Sequence, residues 1–310
     1  MRDYIINFQN FQISNMRKKF EIFSKKWYNI YRIGKGEIKM KWLVTGDCHG
    51  DFTRFKNLAQ LQPTGIICLG DFGINFYLNK NDYKNKKWLS ERYPHFTFYC
   101  VHGNHEARPQ DIKGITPIYD HDVGGIVFQE DNFPNIRYFT DYGKYFINGY
   151  NVAVIGGAYS VDKWYRLQRA GVQSDEDNDP KRTGWFDDEQ LTKKEMEEAN
   201  IILGGYHYDF VFSHTCPMEF QPKDLFLGFV DQSKVDSTME LWMNELKDKF
   251  EWDVWCFGHY HADRIERPGV EQYFHDMEEL DIISGRWKRY KKTKELDWWL
   301  NKSPNFYMGE

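Results

Sequence analysis

The sequence predicts an α/β fold whose sheet is covered on both faces, with polar residues gathered along one rim. Three features carry this expectation. Short β-branched or aromatic runs recur from residue 41 onward, and each stops at a Gly or Ser followed directly by residue types that bind metals. Helix-start patterns lie between the later runs. The composition fits a globular chain: 310 residues, 41% apolar, with 41 Lys+Arg against 46 Asp+Glu. That balance excludes a disordered or collagen-like chain and leaves enough apolar material for one main domain.

Residues 1–40 read as a basic extension. Residues 1–41 carry ten Lys and Arg against three acids, a net of +7, so the rest of the chain carries −12. Phe8, Phe11, Ile13, Met16, Phe20, Phe23 and Trp27 recur with a loose helical period, with Arg17, Lys18, Lys19, Lys25 and Lys26 between them. A basic amphipathic helix of this kind lies on a membrane surface, grips a partner or packs on the body as an appended element. Gly34-Lys35-Gly36-Glu37-Ile38-Lys39-Met40 is also what a purine-rich ribosome-binding site would encode in frame. Residues 1–39 are then expected to be either an appended helix or foreign to the natural protein, with translation starting at Met40.

No apolar run approaches the roughly 18 residues that span a bilayer, and the N-terminus lacks the apolar block of a secretory signal, so a cytoplasmic location is expected. Five cysteines without a CxxC spacing read as reduced thiols, most of them small buried hydrophobes. The acidic body argues against long nucleic acid as the favoured partner.

The strands follow in order. Trp42-Leu43-Val44-Thr45 runs into Gly46-Asp47-Cys48-His49-Gly50, and Ile66-Ile67-Cys68-Leu69 into Gly70-Asp71-Phe72-Gly73. The run 96–101 leads through His102 into Gly103-Asn104-His105-Glu106. A strand over 151–155 ends at Gly156-Gly157 and gives way to a polar stretch, 159–187, read as an inserted loop. Thr192-Lys193-Lys194-Glu195 and Ser237-Thr238-Met239-Glu240 match the capping box, and Leu241, Trp242, Leu246 and Phe250 continue the second as an amphipathic helix. Phe210-Val211-Phe212 reaches Ser213-His214-Thr215, and Val254-Trp255-Cys256-Phe257 reaches Gly258-His259-Tyr260-His261.

Carboxylate, imidazole and amide oxygen are the ligand types of borderline divalent metals, and five such clusters at strand ends can converge on one rim. In Asp47-Cys48-His49 and His259-Tyr260-His261, residues two apart on an extended chain face one side, which directs Cys48 and Tyr260 away. Gly46, Gly70, Gly103 and Gly258 fit places where backbone turns tightly and comes close to ions and substrate.

This ordered series of motifs resembles the calcineurin-like metallophosphoesterase superfamily over about residues 41–275. Between the motifs, 24 residues separate Asp47 from Asp71 and 33 separate Asp71 from Asn104, room for one helical crossover each. The resemblance implies a four-layer α/β/β/α sandwich of two mixed sheets flanked by helices, with residues 276–310 as a basic and aromatic extension packed on it. It implies two divalent transition-metal ions, manganese first, with iron, zinc or nickel as alternatives. Asp47, His49, Asp71 and His261 would hold one ion, and Asp71, Asn104, His214 and His259 the other, with Asp71 bridging. A metal-bridging hydroxide would then attack a phosphomonoester or phosphodiester in line, with His105 assisting the leaving group and Glu106 orienting a neighbour.

The match departs from the protein Ser/Thr phosphatase branch, which follows its second motif with an Asp-Arg pair and places an Arg before Gly-Asn-His-Glu; here Gly70-Asp71-Phe72-Gly73-Ile74-Asn75 and His102 stand instead. Arg108, Arg166 and Arg169 are the candidates to bind phosphate in their stead. The implied substrate is a phosphorylated small molecule, a nucleotide or a phosphopeptide. A nuclease or cyclic-nucleotide phosphodiesterase is the alternative, suggested by the basic run 286–292 and Trp298-Trp299. A catalytically idle scaffold is the reading from another class.

Asp175-Glu176-Asp177-Asn178-Asp179-Pro180 has Pro where a calcium loop needs Gly and reads as a solvated loop.

Overall fold

The computed structural model describes residues 41–60, 65–280 and 288–290. The basic extension, the proposed start at Met40 and most of the basic, aromatic C-terminus lie outside the described residues.

The first half of the chain lays down β1 (Trp42–Thr45), a 3-10 helix (Thr53–Gln60), β2 (Gly65–Cys68), α1 (Lys80–Arg92) and β3 (Thr97–Cys100). A run of strands follows: β4 (Ile115–Asp120), β5 (Gly125–Glu130), β6 (Ile136–Phe139), β7 (Tyr142–Ile147) and β8 (Tyr150–Ile155). The second half contains α2 (Lys163–Arg169), α3 (Pro180–Thr183), α4 (Lys193–Leu203), β9 (His207–Ser213), α5 (Thr238–Leu246) and β10 (Glu251–Phe257). It ends with β11 (Arg264–Arg267), β12 (Val270–Gln272), β13 (Met277–Glu279) and β14 (Lys288–Tyr290).

These strands form two mixed sheets, ordered β14-β13-β1-β2-β3-β6-β5-β4 and β11-β12-β10-β9-β8-β7. Strands β1, β2 and β3 pair in parallel, as do β8, β9, β10 and β12 in the other sheet.

Strand alternation explains the layering. Leu43, Ile66 and Phe98 point outward, packing with Phe55 and with Leu89 of α1, whereas Val44, Ile67 and Tyr99 point inward to meet Val152, Val154, Phe210 and Phe212. From the second sheet Ala153, Ile155, Val211 and Trp255 point outward onto Met196, Ala199 and Leu203 of α4 and Met239 and Met243 of α5. Three apolar seams therefore separate four layers, helix, sheet, sheet and helix. Runs that are apolar at every position are what both faces of these strands require.

Four local expectations change. The stretch 159–187 is not a bare loop: it carries α2, α3 and a small apolar cluster of Leu167, Val172 and Trp185. Within it, Asp175–Asp177 forms a 3-10 turn, with Asp175 paired to Lys163.

Thr192 and Glu195 make the full capping box at α4, but Ser237 makes no side-chain cap at α5. Asp236 Oδ1 takes the Thr238 amide instead, and Glu240 turns inward to accept from the Thr215 hydroxyl.

Of the expected extension from residue 276, the described residues 277–279 and 288–290 are strands of the larger sheet. Strand β13 sits inside the larger sheet, antiparallel to β1, and Lys288–Tyr290 of the basic run pairs with it as β14. No helix among the described residues is long and apolar enough to cross a membrane.

Candidate metal centre

Every donor-bearing loop leaves the carboxyl end of a parallel strand. Asp47 and His49 follow β1, Asp71 follows β2, Asn104 and His105 follow β3, His214 follows β9, and His259 and His261 follow β10. The loops are tied to one another by main-chain bonds. The Asp71 carbonyl accepts the amides of Cys48 at 3.0 Å and His49 at 2.8 Å, and the His214 carbonyl accepts that of Gly258 at 3.0 Å.

The extended-chain account of the two His-containing pairs does not hold. His49, Asp71, His259 and His261 have φ of 47°, 47°, 67° and 54°, in the left-handed region that non-glycine residues rarely adopt. The chain turns sharply at each, and that turn swings the side chain inward. Cys48 and Tyr260 do point away, Cys48 into the outer seam of the first sheet and Tyr260 against that of the second. Such strain costs on the order of 1–3 kcal/mol per residue and clusters at functional sites.

Three of the glycines make room for the donors, among them Gly103, where a Cβ would overlap Asp71 Oδ1. A Cβ at Gly70, whose φ is +101°, would overlap the His214 ring, and one at Gly258 would overlap Asp47 Oδ1.

The donors fall into two groups. In the outer group His49 Nε2 lies 3.0 Å from His261 Nε2 and 3.8 Å from Asp47 Oδ2, and His261 Nε2 lies 3.2 Å from that oxygen. In the inner group Asn104 Oδ1 lies 2.8 Å from His214 Nε2 and 3.1 Å from His259 Nδ1. Asp71 Oδ2 stands between the two, 4.0 Å from His49 Nε2 and 3.6 Å from His214 Nε2. Its other oxygen is taken by the His105 amide at 2.8 Å.

The donor set fits divalent metals. The Asn104 amide group spends its hydrogens on Ser160 Oγ at 2.8 Å and His105 Nε2 at 3.3 Å, so its oxygen faces the histidines. His214 Nδ1 bonds the Leu69 carbonyl at 2.8 Å, so when the ring is neutral its Nε2 turns a lone pair toward Asn104 Oδ1. Two lone pairs in such contact repel unless a cation lies near both. Ligands about 2.1 Å from one ion, at right angles, stand about 3.0 Å apart, close to the shortest contacts in both groups.

The titration behaviour agrees with a site short of positive charge. Burial alone would raise Asp47, but the His261 hydrogen bond and the His214 charge bring it down to about 2. Burial opposes Asp71 in the same way, and the charges of His214, His105 and His49 carry it below the usual carboxylate range. Burial pushes His259 down to about 3, with the His214 charge adding to it. His261 is raised despite burial, through its bond to Asp47. Burial, with Arg166 behind it, holds His105 down to about 4 against the pull of Asp71.

Of the three arginine candidates, Arg108 is corrected. It is buried, and its guanidinium is consumed by Asp141, Glu195 and the carbonyls of Asp188 and Gln190, leaving nothing to clamp a phosphate. Arg166 stays near His105, bonded to Asp162 and the Gly184 carbonyl and lying over the Phe76 ring. Arg169 is exposed on the last turn of α2.

Sequence reasoning missed Arg54, Ser160 and Glu189. Arg54 is buried and donates to the Gly46 and Asp47 carbonyls and across to that of Phe274. Ser160 fixes the Asn104 amide and is itself held by Glu189 Oε1 through its main-chain N–H. An arginine seven residues beyond a ligand, and a Ser just past a Gly-Gly strand end, are weak signals in one chain. Glu106 orients a neighbour by accepting the Gly103 amide.

The sequence profile of the calcineurin-like phosphoesterases matches residues 40–263, a span that contains all seven donor residues. The chain belongs to the calcineurin-like phosphoesterase family. Members of this family hydrolyse phosphoesters with divalent metal ions, and the Asp and His groups described here are of the kind that hold them. Among solved structures, the chain is similar to a protein serine/threonine phosphatase from Saccharomyces cerevisiae with similarity to human phosphatase PP5. The identity is 13%, the coverage 82% of this chain and 81% of that one, and the TM-score 0.33, a likeness on which no argument rests. No curated protein matches the chain.

Proposed function

We propose that this calcineurin-like phosphoesterase is a two-metal hydrolase of phosphomonoesters or phosphodiesters. The observation that carries the reading is Asp71 Oδ2, placed between two donor groups within 4.0 Å of a histidine in each. Asp47, His49, Asp71 and His261 would hold one divalent ion, and Asp71, Asn104, His214 and His259 the other. Bound there, the ions would supply Lewis acidity that activates water and offsets phosphoryl charge, and N/O donors suit manganese, iron, zinc or nickel.

The chain's own residues supply position. Ser160 and the His105 ring fix the Asn104 amide, while the main-chain amide of His259 donates to both Asp47 oxygens at 3.1 and 3.2 Å. His105 is held neutral near pH 7, with Nε2 facing the Asn104 amide and a buried Nδ1 that has no partner. Its role is to offer a proton or hydrogen bond to the departing oxygen. Arg166, beside it, is the remaining arginine placed to meet the phosphoryl group. A cytoplasmic location belongs to the same reading, in keeping with five buried free cysteines.

Elemental analysis after purification in manganese should find close to two ions per chain. The same protein should hydrolyse nitrophenyl phosphate or its bis ester, and comparison with a single-stranded oligonucleotide would expose a nuclease. Two bound ions with no hydrolysis of any of the three would favour the idle scaffold.

A further inference from the structure

The His105 ring has neighbours of two kinds. Its centroid is 5.9 Å from that of His49 in the outer donor group and 6.4 Å from that of Phe76, which it meets nearly at right angles. A leaving oxygen at His105, with its phosphorus at the donors, brings its own alcohol within reach of Phe76.

Phe76 is half-buried in a cluster of flat groups. It makes edge contacts with Tyr77 and Phe186 at centroid distances of 4.9 and 6.4 Å, and the Arg166 guanidinium lies 5.9 Å over its ring. Tyr77 is 46% exposed. Gly184 leaves the cluster room, since a Cβ there would stand 3.1 Å from both Phe76 Cζ and Arg166 Nη1.

The two aromatic residues are pinned from both sides. The Asn75 carbonyl accepts the amide of Ala107, just beyond His105, at 3.0 Å. The buried Asp82 carboxylate accepts the amides of Tyr77 at 3.1 Å and Leu78 at 2.6 Å. Leu78 has a φ of 50°, a left-handed conformation that leucine adopts only at a cost. The chain thus accepts backbone strain while holding two adjacent aromatic side chains, one of them open to solvent, beside His105.

We propose that Phe76 and Tyr77 are specificity-determining residues that receive an aromatic ring carried by the leaving alcohol of the substrate. This rests on the phosphoesterase reading and names its substrate class, the phosphoesters of ring-bearing alcohols. An aromatic ring extends the edge contacts of the cluster and suits the guanidinium, which stacks on aromatic faces, whereas a saturated ring offers bulk without either.

The test compares benzyl phosphate with cyclohexylmethyl phosphate, whose alcohols leave with similar ease; if only diesters are turned over, dibenzyl and bis(cyclohexylmethyl) phosphate take their place. The benzyl member should have kcat/KM about fivefold higher, carried by KM, although its ring is the less apolar of the two. The ratio should fall toward one in Phe76→Leu and in Tyr77→Ala, and Phe76→Tyr should keep it. A ratio near one in the unaltered protein, or a full ratio in both Phe76→Leu and Tyr77→Ala, overturns the proposal; with nitrophenyl phosphate still hydrolysed, the phosphoesterase reading stands.

If no ester is hydrolysed, that reading fails and the aromatic pair is judged by binding alone. Calorimetry on the manganese-loaded protein should show benzylphosphonate binding more tightly than cyclohexylmethylphosphonate, with the difference lost in Tyr77→Ala. Equal binding of the two, or none, overturns the ring site.

Discussion

The two donor groups share Asp71 but are built differently. The inner group is sealed and pre-oriented: His214 is fully buried and fixed by the Leu69 carbonyl, and Asn104 is fixed by Ser160 and His105. The outer group is open, its His49 and His261 side chains being 31% and 38% accessible. Donors held by hydrogen bonds behind them bind an ion with little rearrangement, whereas donors at the solvent edge must be ordered partly by the ion itself. An ion in the outer group should therefore exchange first, and one in the inner group should stay.

The comparison breaks most visibly at the shared residue. Asp71→Asn should lower kcat by about 10³-fold or more, because both groups lose their common carboxylate. His105→Ala should cost less, on the order of 10²-fold. Steady-state kinetics with the two effects in the opposite order would overturn the roles assigned to them.

Gly70→Ala attacks the inner group alone, since its Cβ would overlap the His214 ring at a φ of +101°. Denaturant unfolding should show a loss of about 2–4 kcal/mol. A stability unchanged from the parent would mean the inner group is looser than its hydrogen bonds imply.

His49→Ala addresses the outer group. Metal content should fall toward one ion per chain and activity by roughly 10- to 100-fold, while His214→Ala should reduce the retention of both ions. Graded chelation followed by elemental analysis should reveal a fast-leaving and a slow-leaving ion. Simultaneous loss would erase the distinction between the groups.

The smallest effect comes from behind the inner group. Burial raises Glu240 from an ordinary 4.5 to about 7, only partly offset by the Thr215 hydroxyl. The folded state thus holds this proton more tightly than the unfolded chain, so stability falls as pH rises from about 4.5 to about 7 and levels off above. Glu240→Gln should flatten that slope in unfolding midpoints measured across the range.

What could be read from the sequence was what is local and repeated. Strands β1, β2, β3, β8, β9 and β10 declare themselves by unbroken apolar runs, and the ends of all but β8 carry the donors in chain order. Strands β4 to β7 were not legible: in Thr116-Pro117-Ile118-Tyr119 and Gly143-Lys144-Tyr145-Phe146 the apolar pattern is diluted by turns and half-exposed positions. The backbone conformation of the donors was also hidden. His49 adopts its positive φ with its amide held by the distant Asp71 carbonyl, and no nearest-neighbour preference announces it. Arg108 misled because a guanidinium near a ligand looks alike from the sequence whether it meets phosphate or, as here, Asp141 and Glu195.

Strand β13 sets an order of events during synthesis. Strand β1 gains its second partner only when residues 277–279 emerge, and Arg54 finds the Phe274 carbonyl only shortly before. A nascent chain halted at residue 263 would already contain every donor yet lack the neighbour that steadies the Asp47 turn.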